Sequence, residues 1–157
     1  MANAAVMAVP MSPQQAMPAV RSVYAELAQR PLRRGCTGIA DCCRFRATGR
    51  TPYLTHGEAL VAAAAWRSAG RTAVAATVDG SCPLLGNNGR CQIYEGRPFG
   101  CRTHFCESAG GPYARGEVRD LIQRLEDIDH QLGGQGAVNL PTALARAMRA
   151  VTRKNRT

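Results

Sequence analysis

The sequence predicts a mainly α protein: a small helical domain around an irregular, cysteine-rich core, with a short β-hairpin. Three observations lead there. Aromatic residues make up only 5% of the 157 residues while alanine is abundant, which favours helices packed through small side chains over an aromatic-rich β-sandwich. Apolar residues recur at helical spacing in several stretches. Seven cysteines fall largely in a turn-rich middle. A chain of this length fits one domain and buries roughly 68–70% of its unfolded surface, so it folds without staples and its cysteines need another reason.

Residues 1–18, interrupted by Pro10, Pro13 and Pro18, read as a flexible N-terminal arm, and 19–157 as a single domain. Val20, Val23, Tyr24 and Leu27 then mark an amphipathic helix that stops at Arg30, because the residue before Pro31 is pushed out of the helical region. The stretch "TPYLTHGEALVAAAAWRSAG" predicts a short extended piece followed by a helix, with Thr55 and Glu58 as its capping box and Gly70 as its stop. "TAVAATV" is open between strand and loop. Asn88-Gly89, between "CPLL" and "RCQIY", is a hairpin signal that brings Cys82 and Cys91 near one another. After glycines 110 and 111 the C-terminal helices occupy 112–157. Val118, Leu121, Ile122, Leu125 and Ile128 define the first of them. Leu140, Leu144, Met148 and Val151 define the second, which starts near Pro141.

The formal charge is +9, yet nineteen of the twenty basic residues are arginine, with Lys154 the sole lysine. So lopsided a ratio beside so much alanine fits GC-rich coding and weakens the case for a nucleic-acid footprint. No run approaches the 18 or so apolar residues of a membrane span, and the N-terminus lacks the basic start of a secretory signal. A cytoplasmic location is expected, where thiols stay reduced and clustered cysteines more often bind metal than form disulfides.

Five residues separate Cys36 from Cys42, Cys43 follows at once, and gaps of 38, eight, nine and four lead to Cys82, Cys91, Cys101 and Cys106. Only the last gap matches the knuckle spacing of zinc fingers, so a DNA-reading finger is not expected. Iron–sulfur clusters accept looser sets of thiolates. Adjacent side chains point apart, so Cys42 and Cys43 hardly serve one compact site unless the backbone is unusual. Buried cysteine is a common small hydrophobe, but seven in two dense groups call for metal. Arg44, Arg90 and Arg102 each adjoin a cysteine and would offset thiolate charge. Cys101 with His104 is the candidate for a catalytic thiol, although His104 serves equally as a ligand. His56 and His130 read as solvent-facing.

"CPLLGNNGRCQIYEGRPFGCR", Cys82 to Arg102, resembles the signature of the YkgJ-like cysteine-cluster family, a zinc- or iron-chelating domain. That pattern runs C-P-[FL]-L, a short turn, G-x-C-x-I-Y-x-x-R-P-x-x-C-R and a further cysteine. It is met here by Cys82, Pro83, Leu85, Cys91, Ile93, Tyr94, Arg97, Pro98, Cys101, Arg102 and Cys106. Upstream, "CCRF" leading to "YLTHGEAL" resembles the family's double cysteine before an L-T-x-x-E helix start. The similarity covers residues 33–106. Arg33 stands where the family usually carries another cysteine, which puts a full two-site complement in question.

The resemblance implies metal bound by Cys36, Cys42, Cys43, Cys82, Cys91, Cys101 and Cys106, as an iron–sulfur cluster or as Zn²⁺. Cys36, Cys43, Cys91 and Cys101 are the leading ligands, with Pro98 stiffening the loop and the arginines neutralising thiolates or bonding backbone carbonyls. Two alternatives stand beside it. One is a zinc-stabilised basic module binding nucleic acid or a protein partner through Arg146, Arg149, Arg153, Lys154 and Arg156, residues that helix-end solvation also explains. The other is a cluster-dependent enzyme, redox or flagellin-methylase-like, for which the sequence shows no glycine-rich cofactor loop.

Overall fold

In the computed structural model, which describes residues 10–30, 51–75, 77, 80–103 and 114–154, the protein is mostly helical. The chain runs α1 (Pro13–Gln29), β1 (Tyr53–Leu54), α2 (His56–Ser68), a 3-10 turn at Tyr94–Gly96, the short α3 (Phe99–Thr103), a second 3-10 turn at Arg115–Glu117, α4 (Arg119–Gln131), β2 (Val138–Asn139) and α5 (Leu140–Lys154).

α1 begins earlier than its apolar spacing suggests and takes in residues 13–18, which the sequence reading placed in the arm. The correction has a local cause. Ser12 caps the helix: its Oγ accepts from the Gln15 N–H at 3.2 Å, while Gln15 Oε1 accepts from the Ser12 N–H at 3.0 Å. Pro13 sits at the first helical position, where its missing N–H is no loss. Pro18 does forgo a helical hydrogen bond, but Ala16 and Val20 on either side of it are fully buried, and that packing holds the turn together. The other end is as expected, with Arg30 extended at φ −70°, ψ 137°.

α2 is the centre of the molecule, packing against α1, α4 and α5. Gly57 through Ala63, together with Trp66, are buried, so the helix is covered nearly all round, as an alanine-rich apolar run requires. It separates two clusters. Val61 faces one, with Val20, Val23, Leu121, Leu125 and Phe99. Leu60, Ala62, Ala63 and Trp66 face the other, with Leu84, Ile93, Leu140, Leu144 and Met148. Gly57 makes the first junction close. A Cβ there would stand 2.9 Å from Val20 Cγ2 and 3.1 Å from Ile128 Cγ2, so any side chain would force α1 and α4 away.

The only sheet among the described residues joins β1 to β2 antiparallel, Tyr53 opposite Asn139 and Leu54 opposite Val138. The Leu140 N–H donates to Pro52 O at 2.9 Å and extends the pairing by one bond. Asp129, only 4% exposed, ties the same corner: Oδ1 accepts from the His56 N–H at 2.8 Å and Oδ2 from the Gly136 N–H at 3.0 Å. On the outer face Arg30 at the end of α1 meets Asp120 of α4, and Arg124 of α4 meets Glu26 of α1, linking the two helices. His130 is exposed as expected, His56 half-buried. Residues 71–75 and 77 form no strand, which settles the "TAVAATV" stretch as irregular where it is described. Among the described residues no helix is long and apolar enough to cross a membrane.

Candidate metal centre

Three of the seven cysteines lie in the described part of the chain: Cys82, Cys91 and Cys101. Cys36, Cys42, Cys43 and Cys106 lie outside it, as do His104, Arg33 and Arg44. The segment that presents the three, residues 80–103, has almost no regular structure of its own and is shaped by turns.

The turn signal at Asn88-Gly89 is realised. Gly89 adopts φ +76°, which favours glycine, and its N–H donates to Gly86 O at 3.0 Å. Asn88 Oδ1 accepts from the Arg90 N–H at 3.1 Å, and the Gly86 N–H donates to Arg90 O at 2.8 Å. The hairpin this closes is brief: one antiparallel bridge, Leu85 opposite Cys91. Its shortness follows from the flanks. Pro83 has no N–H to offer a ladder, the Leu85 N–H turns back to Cys82 O at 3.1 Å, and Ile93 leads straight into the 3-10 turn. "GNNG" is therefore a turn.

Cys82 is buried at 3% exposure, and Cys91 and Cys101 are half-buried; all three pack on the cluster that contains Leu60, Leu84 and Leu144. No disulfide occurs among the described residues. Nor do three or more His, Cys, Asp or Glu side chains there converge as a metal-holding group. The donors present are of the right type, since soft thiolates suit zinc and iron, but Cys82, Cys91 and Cys101 do not close a site among themselves.

α3, which carries Cys101, is the best-fastened piece of this segment. Pro98 is fully buried and its carbonyl accepts from the Cys101 N–H at 3.0 Å and the Arg102 N–H at 3.2 Å. Phe99 is buried among the side chains of the α1 and α4 cluster. Arg102 reaches back over the loop: Nε donates to Arg97 O at 2.7 Å, a second nitrogen donates to Glu95 O, and the guanidinium lies 4.0 Å over the Tyr24 ring of α1. Of the two roles expected for the motif arginines, carbonyl binding is made by both Arg97 and Arg102, and Arg102 also stands close enough to Cys101 to feel its charge. Arg97 also holds a carbonyl, that of Tyr94 at 2.8 Å, and covers the Tyr94 ring at 3.7 Å. Gly96 completes the dock, for a Cβ there would stand 2.7 Å from Ala65 Cβ on α2.

Sequence reasoning missed the second task of Glu58. Its capping box forms, with Oε2 accepting from the Thr55 N–H and Oγ1–H, both at 2.9 Å. Yet Glu58 is only 3% exposed, and Oε1 accepts from the Phe99 N–H at 2.8 Å, across 41 residues of sequence. Burial raises its carboxyl above the ordinary range, and the bonds from Thr55 and Phe99 pull the other way. The Tyr24 hydroxyl lies beside it, buried and without a well-formed hydrogen bond among the described residues. Burial, with the Glu58 charge adding to it, holds that phenol well above its usual value. One signal was available: an acidic residue inside the otherwise apolar run "GEALVAAAAW".

The pattern of the CxxCxxCC family, described as "Putative zinc- or iron-chelating domain", matches residues 35–123, more than half of the chain and a span that contains all seven cysteines. The chain belongs to this family of cysteine-rich zinc- or iron-chelating domains. No curated protein and no solved structure matches it.

Proposed function

We propose that the protein holds zinc or an iron–sulfur cluster through thiolates drawn from its two cysteine groups. Cys82, Cys91 and Cys101 supply donors from the turn-rich segment, and Cys36, Cys42, Cys43 and Cys106 supply the remainder. The observation that carries this reading is the gathering of three thiols, none in a disulfide, on one cluster of the core within the span of a chelating family. A free thiol packed for its apolar character needs no such company. The metal would supply cross-links that a segment without regular structure otherwise lacks. The chain's own residues do the rest. Arg102 and Arg97 hold loop carbonyls in place, Arg102 keeps a positive charge next to Cys101, and Leu84 and Ile93 anchor the turn from beneath.

Protein purified without oxygen and analysed for iron, zinc and acid-labile sulfide tests the reading. Iron with sulfide and a broad visible absorption identifies a cluster. Stoichiometric zinc in a colourless protein identifies a structural site. Replacing both Cys91 and Cys101 by serine should abolish either; unchanged metal content in that variant would refute the proposal.

A further inference from the structure

The cysteine segment is fastened to the helical core by apolar side chains, by Arg102 over the Tyr24 ring, by the Arg71–Gln92 bond and by one buried carboxylate. Glu58 is the only buried acidic side chain among the described residues that reaches it, and it does so at a chosen place, the Phe99 N–H two residues before Cys101. Its other oxygen is committed to Thr55 at the start of α2. One side chain therefore fixes the first turn of the central helix and the first residue of the thiol-bearing helix to each other. A cap needs only the Thr55 half of this arrangement. The Phe99 half serves α3 alone.

Around Cys101 the fixings are ordered. Pro98 is buried and accepts from the Cys101 N–H, Phe99 is held by its ring and its N–H, and Arg102 is clamped to the carbonyls of Glu95 and Arg97. Without the Glu58 bond, the Phe99 N–H would be left unpaired beneath a buried ring, and α3 would have to shift or turn to satisfy it. A thiol on a helix held in this way pays less in ordering when it meets a metal.

We infer that Glu58 is a positioning residue for Cys101, setting the thiol's place and thereby the affinity of the metal site; this rests on the function proposed above. Side chains that orient a ligand from behind typically change metal affinity about 10–100-fold when altered. Linkage makes the effect reciprocal: if the Glu58–Phe99 bond favours metal binding, metal binding protects that bond by the same factor.

The test uses Co²⁺, whose thiolate charge-transfer absorption reports on the cysteines, titrated against a competing chelator into metal-free full-length protein. Three proteins are compared: wild type, Glu58→Gln and Asp129→Asn. Asp129 fixes the same end of α2 through the His56 N–H but makes no hydrogen bond to α3 among the described residues, so it controls for mere loosening of the helix start. Wild type and Asp129→Asn should bind alike, with Glu58→Gln about 10–100-fold weaker and its thiolate band altered. Equal affinity in Glu58→Gln and wild type overturns the inference while leaving the proposed function standing, and so does equal weakening in the two variants. Absence of any thiolate band in wild type overturns the proposed function and this inference with it. Should Glu58→Gln not fold, hydrogen exchange of the Phe99 amide in wild type decides. Exchange slowed about tenfold or more by Zn²⁺ supports the inference, and unchanged exchange overturns it.

Discussion

The two sides of α2 are built on different principles. On one side α1 and α4 pack along their lengths, with Val20, Val23, Leu121 and Leu125 interlocking as helical periodicity dictates. On the other, α5 covers a segment whose shape comes from single bonds, Asn88 to Arg90, Arg97 and Arg102 to carbonyls and Arg71 to Gln92, and whose end crosses to the first side at Phe99, where Glu58 holds it. The first side is redundant, because many small contacts share the load. The second is not, because each bond fixes a different stretch of backbone. A helical bundle can be assembled from pattern alone; a scaffold that presents thiols in set places needs named contacts.

Metal removal should widen this difference the most. With free metal about 1,000-fold above its Kd, binding to the folded state adds about 4 kcal/mol of stability, all of which chelation withdraws. Amide exchange should then accelerate at Leu84, Ile93 and Phe99 and stay slow at Val23 and Leu125; uniform acceleration would mean the two sides unfold as one. Truncation of the bundle side comes next. Leu121→Ala, at a fully buried position, should cost about 2–5 kcal/mol in denaturant unfolding, equally with metal and without.

Glycine substitutions sharpen the contrast further. Gly57→Ala and Gly96→Ala each force a Cβ into a neighbour and should each cost about 1–3 kcal/mol. Metal titration separates them: Gly96→Ala should weaken binding, since it lifts the cysteine loop off Ala65, whereas Gly57→Ala should leave it unchanged.

The smallest effect is on pH dependence. The Glu58 carboxyl is raised above 4.5 by burial, against the bonds from Thr55 and Phe99. The folded state therefore holds that proton more tightly than the unfolded one, so the contribution is full below pH 4.5 and lost as pH rises through the raised value. Tyr24 is the other titrating group beside it, and Arg102 lies over the Tyr24 ring. Urea unfolding of metal-free protein should show this decline toward neutral pH, and Glu58→Gln should flatten it.

What the sequence made legible was whatever repeats or signals locally. The α4 spacing, the Thr55–Glu58 cap, the Gly70 stop and the Asn88-Gly89 turn all depend on residues within a few positions of one another. The start of α1 was hidden by prolines, although Ser12 and Gln15 spelled a capping box in front of Ala16. The β1–β2 pair could not be seen because two residues make no period and the partners lie far apart in the chain. Glu58's bond to Phe99 was hidden for the same reason, together with a second: its local role already explained it. Of the candidate ligands, the chemistry was legible from spacing and resemblance. Cys82, Cys91 and Cys101 now have places on the core, and the other four lie outside the described residues.

The pairing of Tyr53–Leu54 with Val138–Asn139, and of α2 with α5, also orders events in time. A ribosome delivers all seven cysteines before it reaches Leu140. Until then Leu54, Leu60 and Leu84 lack the helix that covers them, and the closing contacts are among the most distant in the chain. During synthesis Cys82, Cys91 and Cys101 thus sit on a surface that α5 has yet to complete, within reach of a metal donor or an oxidant, and the docking of α5 narrows that window.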